Sequence, residues 1–103
     1  EMFFVVEGEG ELRMGESVYP VRAGDVIACP AGGRDTAHQI VNTGTSELRY
    51  LAVSTKRFPD IGEYPDSNKF AVVAEYPDRA EGPARVFRFF GRPDQAVGYW
   101  DGE

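Results

Sequence analysis

The stretch that decides the fold is EMFFVVEGEGELRM at residues 1–14, together with GDVIACPAGGRDTAHQIVN at residues 24–42. In the first segment, aromatic and β-branched residues run to Val6, and charged and apolar residues alternate after Gly8. In the second segment, a short apolar run ends at Cys29 and a glycine-containing loop follows it. Alternation with a period of two is typical of a strand with one buried face, and glycine-rich breaks are typical of turns.

The same pattern predicts six short strands in the first half of the chain. Their expected positions are 2–6, 9–14, 18–21, 26–29, 38–41 and 47–54. Pro20 favours an edge position for the third strand, because proline has no N–H to donate to a neighbouring strand. Short strands separated by closely spaced turns, without helical periodicity, predict an all-β barrel or sandwich.

The pattern changes after Thr55. Pro-Asp pairs, which favour turns, recur at residues 59–60, 65–66 and 77–78. We therefore expect this segment to wrap over a surface and not to form a second core. One late strand is expected at residues 86–90, and Tyr99 and Trp100 are expected to anchor the tail by burying aromatic area.

Length and composition restrict the class of protein. The expected organisation is a single domain over residues 1–103, with a barrel core at 1–55 and a C-terminal extension at 56–103. A net charge of −6 argues against a nucleic-acid partner, because phosphate binding needs clustered Lys and Arg. No apolar run approaches the roughly 20 residues that span a membrane. Without a membrane segment or signal peptide, we expect a cytoplasmic protein.

The two segments resemble the motifs of the cupin superfamily. The first cupin motif closes with a glutamate and a glycine separated by six residues, as Glu1 and Gly8 are. The second cupin motif is matched by Gly24, Pro30, Gly32, His38 and Asn42. Five residues separate Gly32 from His38, where the usual gap is two. A narrower similarity, which includes Pro30-Ala31-Gly32 and Tyr64-Pro65-Asp66-Ser67, is to a small-cupin group often labelled sugar-phosphate isomerase-like.

The resemblance implies a cupin-type double-stranded β-helix, which is a jelly-roll barrel. In that family, interior imidazole and carboxylate groups hold a divalent transition metal, which would here be Mn, Fe, Ni or Zn. The metal ligands that it implies in this sequence are Glu1 and His38. Two further histidines normally precede the glutamate, and this chain begins at Glu1. We therefore expect an N-terminally truncated barrel whose metal site, if present, is completed by residues outside this chain.

The expected ligand-pocket residues are His38, Phe3, Tyr50 and Arg13. Arg13 could contact a phosphate only if it faced inward, and exposure to solvent is its alternative. The alternative for His38 is a hydrogen-bonded strand histidine, and the alternative for Glu1 is an exposed terminal carboxylate. Cys29 is expected to pack as a small hydrophobic residue.

Three functions remain open from the sequence. The first is an isomerase-like enzyme that acts on a small polar molecule with the help of a metal. The second is a non-catalytic module that binds a small-molecule ligand through His38. The third is an oligomer-forming domain, because a strand at residues 2–6 that opens the barrel should expose an unpaired edge. It is expected as a homodimer, formed by strand exchange or by sheet-to-sheet packing across residues 3–6.

Overall fold

The structure is a computed structural model, and it describes residues 1–76 and 85–103. Its regular elements are antiparallel strands and three one-turn 3-10 helices, so the predicted all-β fold class is confirmed. The chain divides into two compact units, Glu1–Lys56 and Arg57–Glu103. Among the described residues, no helix has the length and apolar character needed to cross a bilayer.

The N-terminal unit contains all six strands predicted from the alternating pattern. They are β1 (Met2–Glu7), β2 (Glu9–Met14), β3 (Ser17–Arg22), β4 (Val26–Ala28), β5 (His38–Val41) and β6 (Arg49–Val53). These strands form two three-stranded antiparallel sheets, in the orders β4-β1-β6 and β3-β2-β5. A one-turn 3-10 helix, Arg34–Thr36, lies in the loop before β5.

A single core lies between these two sheets. Phe3 and Val5 on β1 alternate with exposed neighbours, and Leu12 on β2 lies between the exposed Glu11 and the half-buried Arg13. Each central strand therefore contributes alternate side chains to the core. Val5 is fully buried. The remaining buried members of the cluster are Val21, Ile27 and Cys29. The alternation read from the sequence therefore marks the inner faces of both sheets.

The expectation of an unpaired strand edge at residues 2–6 is wrong. β1 is the central strand of its sheet, and Phe3 lies opposite Ile27 on one side and Ala52 on the other. Its backbone donors and acceptors are shared with two neighbours, which leaves no free ladder for strand exchange. The edge position predicted from Pro20 is confirmed, because β3 lies at the end of the order β3-β2-β5.

The C-terminal unit contains more strands than the sequence led us to expect. It forms a third antiparallel sheet, in the order β7-β8-β9. The strands are β7 (Asp60–Tyr64), β8 (Lys69–Tyr76) and β9 (Arg85–Gly91). Only β9 was predicted. Pro59 and Pro65 flank β7 and do not interrupt it, so the Pro-Asp pairs mark the ends of a strand. The Pro-Asp pair at residues 77–78 lies outside the described residues.

The expected aromatic anchor of the tail is also corrected. Tyr99 and Trp100 remain 83% and 78% exposed. Their rings contact each other edge to face, with the centroids 4.7 Å apart. The two rings therefore contact each other, and they do not anchor the tail by burying aromatic area.

Two glycines of the motifs adopt backbone conformations that other residues resist. Gly8 connects β1 to β2 with φ of +86°, and Gly24 precedes β4 with φ of +93°. A Cβ atom on Gly8 would collide with the backbone carbonyl of Glu47, whereas one on Gly24 would meet nothing within 4 Å. The two positions therefore separate the cost of the left-handed conformation from the cost of a steric clash.

We predict that Gly8→Ala lowers the free energy of unfolding by more than Gly24→Ala does. The strain of the left-handed conformation should cost on the order of 1 kcal/mol in both variants. Gly8→Ala adds a backbone collision and should cost at least about 2 kcal/mol in total. Chemical denaturation measures both values. Equal losses in the two variants would contradict the close approach of Gly8 to Glu47.

The Cys29 thiol is part of the core, as predicted from its position in an apolar run. The residue is 3% exposed. Burial raises the pKa of the Cys29 thiol, and the negative charge of Glu1 raises it further, against an opposing effect of the amino-terminal ammonium group. A buried thiol with a raised pKa is protonated near neutral pH, and the thiolate is the form that reacts.

We predict that Cys29 reacts slowly with an aromatic disulfide reagent at pH 8 while the protein is folded. Addition of urea should raise the labelling rate by at least about tenfold, because unfolding exposes the thiol and restores its ordinary pKa. The folded-state rate should rise only at a pH above that at which a free thiol ionises. Cys29→Ser provides the blank. Rapid labelling without denaturant would show that the thiol is accessible and would contradict its place in the core.

Candidate functional site

The candidate site begins at the carboxylate of Glu1. This residue lies directly before β1 and is fixed by two backbone hydrogen bonds to Cys29. The Cys29 N–H donates to the Glu1 carbonyl oxygen at 2.8 Å, and the amino-terminal nitrogen of Glu1 donates to the Cys29 carbonyl oxygen at 3.0 Å. These bonds extend the pairing of β1 with β4 by one residue. The backbone of Glu1 is therefore held in place, and its side chain is 40% exposed.

The imidazole of His38 approaches this carboxylate from the other sheet. His38 is the first residue of β5 and lies opposite Met14 of β2. Its Nε2 atom is 3.0 Å from Oε2 of Glu1, and 24% of its side chain is exposed. A carboxylate oxygen accepts hydrogen bonds, so the contact is a hydrogen bond in the tautomer of His38 that carries its proton on Nε2. The two implied metal ligands therefore contact each other across the space between the sheets.

Phe3 forms an apolar wall beside this pair. Its ring contacts the His38 ring edge to face, with centroids 5.6 Å apart, and the Tyr50 ring in the same manner at 5.7 Å. Phe3 is buried and Tyr50 is 42% exposed. Edge-to-face contacts restrict the orientation of both neighbouring rings. Phe3 thus orients His38 and Tyr50, and Tyr50 is the more accessible of the two pocket aromatics.

Arg13 is not brought together with the other three expected pocket residues. It lies between Leu12 and Met14 on β2, and its partners in the register are Val18 and Gln39. Successive side chains of a strand point to opposite faces, and Leu12 faces the core. Arg13 therefore lies on the other face of the sheet from His38. The alternation in Glu11-Leu12-Arg13-Met14 already contained this information.

Met14 is a site neighbour that the sequence reading missed. It lies directly opposite His38 in the register and packs against the buried core. A thioether beside the imidazole adds apolar surface to the wall that Phe3 begins. The sequence contains a signal for this position of Met14. Leu12 and Met14 occupy alternate positions of the same strand, so both side chains are expected to face the core.

The described residues do not by themselves form a complete metal site. Across residues 1–76 and 85–103, no three His, Cys, Asp or Glu side chains are grouped so that they could hold a metal ion. Glu1 and His38 supply one carboxylate and one imidazole, whereas catalytic metal sites in proteins usually have three protein ligands. The Nε2 atom of His38 is also used in the hydrogen bond to Glu1. This donor set alone does not fit a catalytic metal.

A separate hollow of about 460 Å³ lies against β2 and β3. Its lining includes three carboxylates and one guanidinium, from Glu9, Glu11, Asp25 and Arg22. Asp25 is engaged there, because its Oδ2 accepts the backbone N–H of Arg22 at 2.9 Å. The residues around His38 do not line this hollow. It is therefore distinct from the candidate site.

Comparison of the sequence with known proteins identifies the family of the N-terminal half of the chain. A family model described as a cupin domain matches residues 1–54. A curated protein of Thermotoga maritima described as an oxalate-binding protein is 36% identical over 53 residues, which cover 52% of this chain and 41% of that relative. The matched region thus spans less than half the length of this relative. No solved structure matched the chain significantly. Over half of the chain matches the family model, and the matched segment contains both sheets of the N-terminal unit, so this protein belongs to the cupin family.

Proposed function

We propose that the N-terminal unit binds a small polar molecule, with Glu1 and His38 as the polar groups that orient it. The observation that carries this proposal is the 3.0 Å approach of the two side chains from different sheets, with both partly exposed. A satisfied core histidine would be enclosed by protein, whereas this pair keeps accessible surface. Phe3 and Tyr50 add an apolar wall. A few polar groups on an apolar wall are typical of small-molecule sites.

The charge of the site restricts the chemistry of its ligand. The Glu1 carboxylate accepts hydrogen bonds and repels anions, and the whole chain carries a net charge of −6. A molecule with several hydroxyl groups can donate to Glu1 and lay a C–H face against Tyr50. A dianion such as oxalate would need a cation between itself and Glu1. We therefore propose a neutral polyhydroxylated ligand, and oxalate together with a divalent cation as the alternative suggested by the oxalate-binding relative.

We predict that a ligand from a panel of neutral sugars and sugar alcohols raises the midpoint of thermal unfolding. Binding to the folded state alone stabilises it in proportion to the logarithm of ligand concentration. His38→Ala should weaken binding by roughly two- to tenfold, because one hydrogen bond contributes roughly 0.5–1.5 kcal/mol. Glu1→Gln should weaken binding of a donor ligand by at least a similar factor, because a hydrogen bond to a carboxylate contributes roughly 1.5–3 kcal/mol.

The matched control for His38→Ala is Gln39→Ala, which changes the next residue of β5. Gln39 is exposed and lies opposite Arg13, on the face away from the site. Its removal should leave ligand affinity unchanged. The proposed site would be rejected if both variants lost the same amount of ligand affinity. It would also be rejected if His38→Ala left the affinity unchanged.

The second candidate is a metal-dependent, sugar-phosphate isomerase-like enzyme. The observation that favours it is the pairing of one imidazole with one carboxylate at hydrogen-bond distance, which is a partial donor set for Mn, Fe, Ni or Zn. Bound metal would supply Lewis-acid chemistry, and Glu1 and His38 would be two of its ligands. The remaining donors would come from residues outside this chain. In this arrangement, Tyr50 and Phe3 would bind and orient the substrate.

Metal dependence separates the two candidates. For the binding module, we predict that the ligand-induced thermal shift survives treatment with EDTA and does not increase when Mn²⁺ or Zn²⁺ is restored. For the metal-dependent candidate, tested in a protein that also carries the remaining donors, EDTA should abolish the shift, and added metal should restore it in the parent protein but not in His38→Ala. Oxalate tested with and without Mn²⁺ provides the corresponding comparison for an anionic ligand.

A further inference from the structure

The last strand of the C-terminal unit presents a long strand edge. Among residues 1–76 and 85–103, β9 pairs with β8 alone and lies at the end of the order β7-β8-β9. It contains seven residues, more than any other edge strand in this part of the chain. The backbone N–H and C=O groups along an unpaired edge form a template for a further strand.

The other edge strands of the described chain are shorter or contain proline, and both features limit pairing. β7 contains five residues, with Gly62 at its centre and Pro59 and Pro65 at its ends. β3 contains Pro20, and β4, β5 and β6 contain three, four and five residues. β9 contains no proline, and its glycine is its last residue. β9 is therefore the edge best suited to accept a partner strand.

The side chains of β9 indicate the chemistry of a strand that would fit beside it. Arg88 is paired with Val73 of β8 and lies between Phe87 and Phe89 in the sequence. Successive side chains of a strand point to opposite faces, so Arg88 projects from one face and the two phenylalanines project from the other. All three are exposed, Phe87 to 48% and Phe89 to 47%. A neighbouring strand would thus need an acidic side chain on one face and apolar side chains on the other.

A second arginine lies on the same face as Arg88. Arg92 directly follows β9, and its backbone is extended, with φ of −113° and ψ of 149°. Because extended residues alternate between faces, Arg88 and Arg92 project to the same side, with Phe90 between them. Both arginines are exposed, and β9 contains no acidic residue. This edge is therefore positively charged, although the whole chain has a net charge of −6.

We propose that the edge of β9 binds an extended acidic segment of another protein, which adds to the sheet as a fourth strand. In this mode of recognition, backbone hydrogen bonds give affinity and alternate side chains give specificity. Two acidic residues four positions apart would lie beside Arg88 and Arg92, because opposite charges on neighbouring strands stabilise the pairing. Apolar residues on either side of each acidic residue would cover Phe87 and Phe89.

A second copy of β9 does not have this chemistry. Arg88 is the central residue of Arg85–Gly91, so symmetric antiparallel pairing of two copies would place Arg88 beside its own equivalent. Like charges directly opposite each other destabilise a sheet. The proposal is also independent of the ligand proposed above, because β9 belongs to a different compact unit from Glu1 and His38.

Fluorescence polarisation with the labelled peptide Val-Glu-Val-Thr-Val-Glu-Val tests the proposal on the full 103-residue chain. The two glutamates have the required spacing, and the peptide reads the same in both directions, so parallel and antiparallel pairing are both tested. We expect saturable binding to the parent protein and at least about fivefold weaker binding to Arg88→Glu. The peptide Val-Lys-Val-Thr-Val-Lys-Val should show the reverse preference. Arg92→Glu is the second variant if Arg88→Glu does not fold.

The matched control is Arg57→Glu, which makes the same change of charge in the same compact unit. Arg57 is exposed and precedes β7, the strand at the other edge of the sheet. At physiological salt its replacement should change affinity by less than about twofold, because distant exposed charges are screened. Circular dichroism confirms that each variant folds. The proposal would be overturned if the glutamate peptide did not bind the parent protein at roughly 1 mM, or if Arg57→Glu and Arg88→Glu lost the same affinity.

Amide hydrogen exchange distinguishes strand addition from a contact through charge alone. Every second backbone N–H of an edge strand points toward the position of a new neighbour. Saturating glutamate peptide should therefore slow exchange at alternate residues of β9. Bound peptide with unchanged exchange across residues 85–91 would contradict strand addition. Light scattering checks the other occupant, because a parent mass of two chains that Arg88→Glu reduces to one would assign the edge to a second copy and overturn the proposal.

Discussion

The hydrophobic core shared by the two sheets is the constraint on which the rest of the N-terminal unit depends. Phe3 and Val5 of one sheet belong to the same buried cluster as Leu12 and Val21 of the other, and this cluster holds the two sheets face to face. Full burial of side chains of this size contributes about 1.5–3 kcal/mol each. Because the core fixes the spacing between the sheets, it also brings the start of β1 to the start of β5. The approach of Glu1 to His38 is a consequence of core packing.

The residues that define the family motifs divide into structural and chemical roles. Gly8 and Gly24 allow turns that other residues resist. Asn42 closes the loop after β5, since its Oδ1 accepts the Gly44 N–H at 3.0 Å and its Nδ2 donates to the Ser46 carbonyl at 2.9 Å. Only Glu1 and His38 present groups suited to ligand chemistry. Most motif residues therefore stabilise the fold, and the fold brings the side chains of Glu1 and His38 together.

The sequence predicted well those features that depend on neighbouring residues. The six strands of the N-terminal unit follow from alternation and glycine breaks, and Pro20 indicated the edge strand. Strand order could not be read, because pairing joins residues far apart in the chain. The central position of β1, between β4 and β6, is such a non-local feature.

Two other differences have local causes. Arg13 was expected in the pocket only if it faced inward, and the alternation of its own strand places Leu12 in the core and Arg13 on the opposite face. The strand β7 was hidden because Pro59 and Pro65 were read as part of a continuous turn segment, although they lie just outside its ends. Proline disfavours the interior of a sheet but is compatible with strand ends.

The contact between Glu1 and His38 is the central claim, and nitrogen NMR of the imidazole tests it most directly. His38 is the only histidine of the chain, so its ring signals are assigned without ambiguity. We predict that Nε2 carries a proton, that the ring shows proximity to Phe3, and that Glu1→Ala shifts the Nε2 resonance. If the ring is protonated only at Nδ1 and the Nε2 resonance does not shift in Glu1→Ala, the two side chains do not contact each other.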